Sequence, residues 1–373
     1  MNIALGIYND PEHYPPTLNA IEYLAEKGYE VHVVYLPFGK KLWNYPSKVQ
    51  LHPVGKTMSH KEFSQSSFVS KLKTALKFRS KLKFLQRKYK TRFTLLYDAQ
   101  ALVYGSFWNS KSNPIWYHNH DVLEKPAKLR FNLTSLVAVL QSSAFKKVNF
   151  FSLPSEERLP YFPNGKPVCI LPNYPSLKRY SGVSNQATNT ITVIYQGTVS
   201  EGHGLELLIE ALALQKTSTM EFHIAGNVSK AYQFKLENLA MKLGISDRLH
   251  FLGYIAYYDL PRVTGKRHIG LAINEPGSLI YDTGAQSSNK IYEYAAAGLC
   301  VLYLGSDHYT KYLNAYSWAF PCALDVKSVS EALAKAIKYV SQGKKESLED
   351  FRHELHFEKV FSKALDQFEA QLS

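Results

Sequence analysis

Within its first 36 residues the chain passes from an apolar stretch, Asn2 to Tyr8, through a helical pattern, to a second apolar stretch, Tyr29 to Leu36. Asn9-Asp10-Pro11 and the Pro15-Pro16 pair mark the turn out of the first strand. Leu18, Ile21, Leu24 and Ala25 then recur on one helical face, and Gly28 ends the helix. Strand, helix and strand in so short a span make a βαβ unit. The sheet is therefore parallel, with its ligand side at the carboxyl ends of the strands.

The pattern continues and then starts again. Strands are expected at Thr94 to Tyr97, Ile115 to His118, Val148 to Ser152 and Val168 to Leu171. A second alternating series begins at Ile191 to Gln196 and continues with strands Met220 to Ala225, His250 to Leu252, Ile269 to Ile273 and Cys300 to Leu304. Helices between them carry Leu205, Leu208, Ile209 and Leu212, then Leu236, Leu239, Ala240 and Leu243, then Lys290 to Ala297, with Val329 to Val340 after the last strand. Two open α/β sheets follow, the first in a domain over 1–180 and the second over 191–350, joined by the polar, aperiodic stretch 181–190. A length of 373 residues with 45% apolar side chains suits two cores, with a cleft between them as the default site.

Other classes fall away. No signal-peptide pattern and no apolar run of about 20 residues is present, so a cytoplasmic protein is expected. Cys169, Cys300 and Cys322 are far apart and lack metal-ligand spacing. No Asp-x-Asp triplet occurs, so no carboxylate-held divalent cation is expected and no cofactor is indicated.

The segment Ser288-Asn289-Lys290-Ile291-Tyr292-Glu293-Tyr294-Ala295-Ala296-Ala297-Gly298 lies where a loop rich in Gly, Ser and Thr turns into a helix. Helix N-termini present free N–H groups and partial positive charge to phosphate. Lys290 adds a full charge there, and Glu293, on the same face, is placed to accept from ribose hydroxyls, which together point to a nucleoside diphosphate. An ordinary capped helix with a solvated Lys and Glu is the competing reading. Gly197-Thr198-Val199-Ser200-Glu201-Gly202-His203-Gly204 makes a second glycine-rich strand-to-helix turn, without the spacing of a dinucleotide fingerprint. Gly226 and Gly253 end two more strands, and Tyr254 follows the second; glycine there permits close backbone approach to a ligand or simply makes a turn.

In this order and spacing, Tyr195-Gln196-Gly197, Gly202-His203-Gly204-Leu205, Ile224-Ala225-Gly226, Phe251-Leu252-Gly253 and Asn289-Lys290 through Gly298 resemble the donor-binding domain of retaining GT-B glycosyltransferases of family 4. The resemblance covers about 120 residues. It implies two Rossmann-like domains with parallel sheets facing a central cleft, a final segment, 351–373, whose helix returns to the N-terminal domain, and a metal-independent transfer with retention. It further implies that Lys290 contacts the donor diphosphate, that Glu293 binds the ribose, and that Gly197, His203, Gly204, Gly226, Tyr254 and Asn289 complete the donor site. The family often has a Glu eight residues before the second one; Ala285 stands there, with Glu275 or Asp282 as substitutes from the same loop. It also favours Lys or Arg where His203 stands, so diphosphate affinity is expected to depend on pH.

Trp116-Tyr117-His118-Asn119-His120-Asp121 runs off a strand end of the first half. By the same resemblance His120-Asp121 faces the donor sugar as catalytic residues, with Asp121 fixing the His120 tautomer; a pair of surface loop histidines is the plainer reading. Asp98, Gln100, Asn9 and Asp10 are weaker candidates.

Residues 56–92 hold twelve of the 44 Lys and Arg against a single acid, Glu62, so most of the net charge of +13 lies there. From Phe68 to Tyr89, Leu72, Ala75, Phe78, Leu82, Leu85 and Tyr89 recur at helical spacing among lysines. That makes a basic amphipathic helix, suited either to an anionic membrane surface over residues 68–90 or to ordinary packing on the sheet; nucleic acid is not expected. The expected activity is sugar transfer from a UDP- or GDP-sugar, the co-substrate, to a hydroxyl of a saccharide or lipid-linked acceptor in cell-surface polysaccharide or glycolipid assembly, in the cytoplasm or at the inner face of the cell membrane. The competing readings are a catalytically silent membrane-associated scaffold and a nucleotide-sugar 2-epimerase.

Overall fold

A computed structural model describes residues 1–39, 42–106, 113–123, 132–183, 190–215 and 220–372. The chain divides into two units, Met1–Pro172 with Val360–Ser373, and Asn173–Lys359. The division falls at Pro172, ahead of the polar stretch 181–190; residues 184–189 of that stretch lie outside the described residues. In the first unit Phe361 of the last helix stacks on Trp116 at 5.1 Å between centroids, and Phe368 meets Phe93 edge-on.

The first unit is built on seven parallel strands: β1 (Asn2–Ile7), β2 (Glu30–Tyr35), β3 (Val49–Pro53), β4 (Thr94–Tyr97), β5 (Ile115–His118), β6 (Phe150–Leu153) and β7 (Val168–Ile170). Their order is 3-2-1-4-5-6-7. The second has six, β8 (Ile191–Gln196), β9 (Met220–Ala225), β10 (Leu249–Gly253), β11 (Ile269–Ala272), β12 (Cys300–Leu304) and β13 (Ala319–Cys322), in the order 10-9-8-11-12-13. Both are doubly wound, so strand order reverses beside β1 in one sheet and beside β8 in the other. Loops at the carboxyl ends of those strands diverge and leave a crevice, where ligands of such sheets bind. Central strands are apolar throughout because helices cover both faces: Ile3, Ala4 and Leu5 of β1, like Val193, Ile194 and Tyr195 of β8, are fully buried.

The sequence pattern does not show β3 or β13. Both are edge strands. β3 is partly exposed along its length, and β13 carries Pro321, which an edge tolerates because one side of the strand needs no hydrogen-bond partner.

The basic segment is one helix, Phe68–Tyr89, capped by the Ser67 side chain. It packs on the sheet: Phe78 and Leu82 lie against Gly6 of β1, where an added Cβ would come 2.9 Å from Leu96 and 3.2 Å from Phe78. Ala75, Phe78, Leu82 and Leu85 form its buried stripe. Leu72, expected in that stripe, is instead 39% exposed, on a face that also shows Val69, Leu76 and Phe84. No helix among the described residues is long and apolar enough to cross a membrane.

Candidate functional site

Three glycine turns meet at the carboxyl ends of β8, β9 and β10. The Gly197 N–H donates to Ala225 O at 3.0 Å, and the Gly226 N–H donates to Gly253 O at 2.8 Å. At Gly226 φ is +153°, and a Cβ would lie 1.8 Å from the Gly197 carbonyl oxygen. Only glycine fits, so two adjacent turns are held backbone to backbone. Gly204, at φ +70°, leads into the helix Leu205–Leu214 with room for no more than a hydrogen against Ile273.

The helix Asn289–Ala296 begins beside this cluster. Ser288 precedes it and makes no side-chain cap, so the first-turn amides are left for another acceptor. Lys290 reaches from the helix start to β8: its Nζ lies 3.3 Å from Tyr195 Oη and 4.4 Å from the Tyr195 ring centroid. A Cβ on Gly197 would sit 3.8 Å from the same Nζ. Tyr195 in turn donates to Thr198 O at 2.6 Å, so one phenol positions both the lysine and the turn after β8. Burial pulls the Lys290 ammonium down to about 8, although Glu293 opposes the shift. A cation held this way is short of negative charge.

One helical turn on, Glu293 is 4% exposed and accepts from Gln196 Nε2 at 2.6 Å. The Thr264 hydroxyl donates to the Gln196 amide oxygen at 2.7 Å, which fixes the amide's orientation. Burial pushes the Glu293 carboxyl up to about 7, against the pull of Gln196, Arg179 and Lys290. Tyr294, on the inward face, accepts the Gln196 N–H at 3.0 Å and donates to Leu271 O at 3.3 Å. Its ring fills the space over Gly270, where a Cβ would come within 2.1 Å. The helix is therefore locked to β8 and β11.

His203 is buried, with Nδ1 2.8 Å from Asn274 Oδ1 and its ring between Tyr195 and Tyr281. With Nδ1 donating to the amide oxygen, Nε2 is left as an acceptor. Burial and then the Lys290 charge hold its pKa below the usual histidine range, against Asn274 and Glu206. It is a neutral imidazole near pH 7, where the sequence resemblance suggested a cation.

Ala285 is fully buried in the core of the second unit, and its N–H donates to His308 Nε2 at 3.1 Å. Of the two acids weighed as substitutes, Glu275 stands against the turn after β8, its carboxylate 3.5 Å from a Cβ built on Gly202 and its N–H donating to Gly202 O at 2.7 Å. Asp282 instead accepts from the Gly277 N–H within its own loop. Tyr254 follows the β10 turn and is 62% exposed. The structure thus gathers Gly197, Lys290 and Glu293 around the end of β8, with His203 and Gly204 in the same turn and Gly226 behind it. Tyr195, Gln196 and Asn274, their direct partners, are the residues that sequence reasoning did not place in the site.

In the first unit the strand-end segment after β5 is buried. His120 donates its backbone N–H to Asp98 Oδ1 at 2.8 Å, and its Nδ1 lies 3.0 Å from Asp98 Oδ2. Its ring stacks on Tyr97 at 5.0 Å, and Nε2 lies 3.4 Å from the Thr17 hydroxyl. This corrects the expectation that Asp121 fixes the tautomer: Asp98 does so through Nδ1, from a left-handed backbone at φ +67°. The Asp121 side chain is 58% exposed and lies 3.8 Å from Arg158. His118 lies beneath His120, buried, with Nδ1 2.9 Å from Ser152 Oγ. Asp10 is spent on backbone, accepting from Glu12 and Phe38 N–H groups. Asn9, Tyr14, Asp98, Gln100 and Asp121 line a 200 Å³ cavity at the ends of β1 and β4. Tyr8, Asn9 and Gln100 also border a 490 Å³ cavity with Phe38, Phe63, Phe68 and Lys71.

Two doubly wound parallel sheets with a glycine-turn cluster beside a Lys- and Glu-bearing helix define the GT-B glycosyltransferase fold, and solved structures bear this out. Sucrose-phosphate synthase from Thermosynechococcus elongatus is similar at 14% identity and a TM-score of 0.71, over 100% of this chain and 99% of that one. A glycosyltransferase from Rickettsia africae gives 12% identity and 0.72, over 100% and 98%. Anabaena HepE, in complex with UDP and glucose, gives 13% and 0.67, over 99% and 100%. Residues 178–353 match the family described as glycosyl transferases group 1, so the second unit carries a domain of that family. No curated protein matches the chain by sequence.

Proposed function

We propose that the protein moves a sugar from a UDP- or GDP-sugar to a hydroxyl of a saccharide or lipid-linked acceptor, with retention and without a metal ion, in cell-surface polysaccharide or glycolipid assembly. The observation that carries this reading is the pairing of Lys290 and Glu293 on one helix start, each held away from its ordinary protonation balance by burial. A diphosphate beside Lys290 supplies the missing negative charge and accepts from the uncapped amides. A ribose beside Glu293 replaces lost water with hydroxyl donors, which favours the carboxylate. His203 Nε2, neutral, then serves as a hydrogen-bond acceptor or, once protonated, as a second cation on the leaving diphosphate. In the first unit His120, oriented by Asp98, takes the role of hydrogen-bonding the transferred sugar.

UDP and glucose in HepE, and UDP-2-fluoro glucose in a trehalose-6-phosphate protein from E. coli, favour uridine donors among the candidates. The test is release of free sugar from a panel of UDP- and GDP-sugars in the absence of acceptor. Slow hydrolysis of one donor, abolished in Lys290→Ala, is the expected result; no turnover with any donor favours the silent-scaffold reading, to which the buried Ala285 lends its one supporting observation.

Attachment at the membrane rests on a separate observation. The outer face of the helix Phe68–Tyr89 combines exposed Val69, Leu76 and Phe84 with exposed Lys73, Lys77 and Lys88, a mixed apolar and cationic surface that matches anionic lipid.

A further inference from the structure

Outside the donor site, Glu221 and His223 of β9 and His250 of β10 come together on one face of the second sheet. Glu221 and His223 are two residues apart and so point the same way, while the parallel register sets His223 directly beside His250. Glu221 Oε2 lies 2.9 Å from His223 Nε2 and 3.8 Å from His250 Nε2, and one ligand atom from each residue fits within 4.8 Å of the other two. The His250 Nε2 atom is buried and has no hydrogen-bond partner. Phe222 and Ile224, on the opposite face of β9, are buried in the core, whereas Glu221 and His223 are only part-buried, so a small ion reaches them.

We infer that Glu221, His223 and His250 form a binding site for a borderline divalent transition cation, Zn²⁺ above all. Two imidazoles and one carboxylate are a zinc donor set, with ligand bonds of about 2.0–2.2 Å. Tetrahedral bonds of that length place ligand atoms about 3.3 Å apart, between the two separations above. Calcium and magnesium need more oxygen ligands than this face offers. A fourth position remains for water.

The place of the cluster assigns it a clamping role. Glu221 sits at the amino end of β9, and the donor-site turns at Gly226 and Gly253 leave the carboxyl ends of the same two strands. β10 is an edge strand whose register with β9 shifts between Phe251 and Gly253. A cation shared between β9 and β10 ties that edge down where the ladder alone holds it.

The test is titration of the full chain, freed of metal by chelator, with Zn²⁺, and with Co²⁺ followed by its visible absorption. One equivalent bound at micromolar or tighter affinity is expected, weakened at least tenfold in each of Glu221→Gln, His223→Gln and His250→Gln, with a zinc-dependent rise in melting temperature that all three lose. His250→Gln keeps the test valid should a β9 variant misfold, because the His250 side chain is 41% exposed. Saturation only at millimolar zinc, or equal affinity in His250→Gln, overturns the site. Neither result depends on nucleotide-sugar binding.

Discussion

Replacing Glu293 by Gln removes a charge while keeping the shape and the Gln196 contact, so it isolates what the buried carboxylate costs the folded chain. The carboxyl rises from 4.5 to about 7 on folding. Between those values the folded protein holds a proton that the unfolded chain has released, so the wild type loses stability as pH climbs from 4.5 to 7 and stays lower above it. A shift of that size corresponds to about 3 kcal/mol at pH 8 and about 1 kcal/mol at pH 5. Glu293→Gln escapes the penalty. For a unit of this size it is expected to melt roughly 6–12 °C above the wild type at pH 8 and only about 2–4 °C above it at pH 5. Differential scanning calorimetry at the two pH values, without nucleotide, measures both gaps. The same variant should bind UDP more weakly, because the ribose acceptor has lost its charge. A gap that does not grow with pH, or a wild type more stable than the variant at pH 8, refutes the claim that burial raises the Glu293 carboxyl.

Asp98→Asn should lower the donor-hydrolysis rate by about tenfold or more while leaving UDP affinity within about twofold, since Asp98 acts through His120 in the other unit; equal rates in the two proteins would release His120 from its role. For the basic helix, Lys73, Lys77 and Lys88 changed together to Gln should weaken flotation with phosphatidylserine-containing liposomes by roughly a hundredfold, at about 1 kcal/mol per cation. Flotation that survives the triple change and high salt would leave the helix with sheet packing alone.

The central strands were legible because a parallel sheet covered on both faces demands unbroken apolar runs, as in Ile3 to Leu5 and Val193 to Tyr195. The edges were not, since β3 and β13 bury less and β13 even contains Pro321. Within the site, features set by local backbone could be read directly: Gly197, Gly226 and Gly253 stand at strand ends, and Lys290 and Glu293 share a helix face. Partners drawn from other strands could not. Asp98 holds His120 across 22 residues, Asn274 holds His203 across 71, and Gln196 holds Glu293 across 97, and nothing in the spacing of either residue marks its mate. The same distance in sequence hid the Glu221, His223 and His250 cluster, whose members meet only because β9 and β10 are neighbours. Charge was the least legible property, because burial, which decides it for Glu293, Lys290 and His203, is a product of the fold.

The central claim is that the start of the helix Asn289–Ala296 recognises a nucleoside diphosphate, and isothermal titration calorimetry with UDP and GDP against the wild type, Lys290→Ala and Glu293→Ala tests it most directly. Binding of one nucleotide per chain, weakened at least tenfold or about 1.4 kcal/mol by each substitution, is the predicted result. No heat from either nucleotide, or affinities unchanged in both variants, would contradict it.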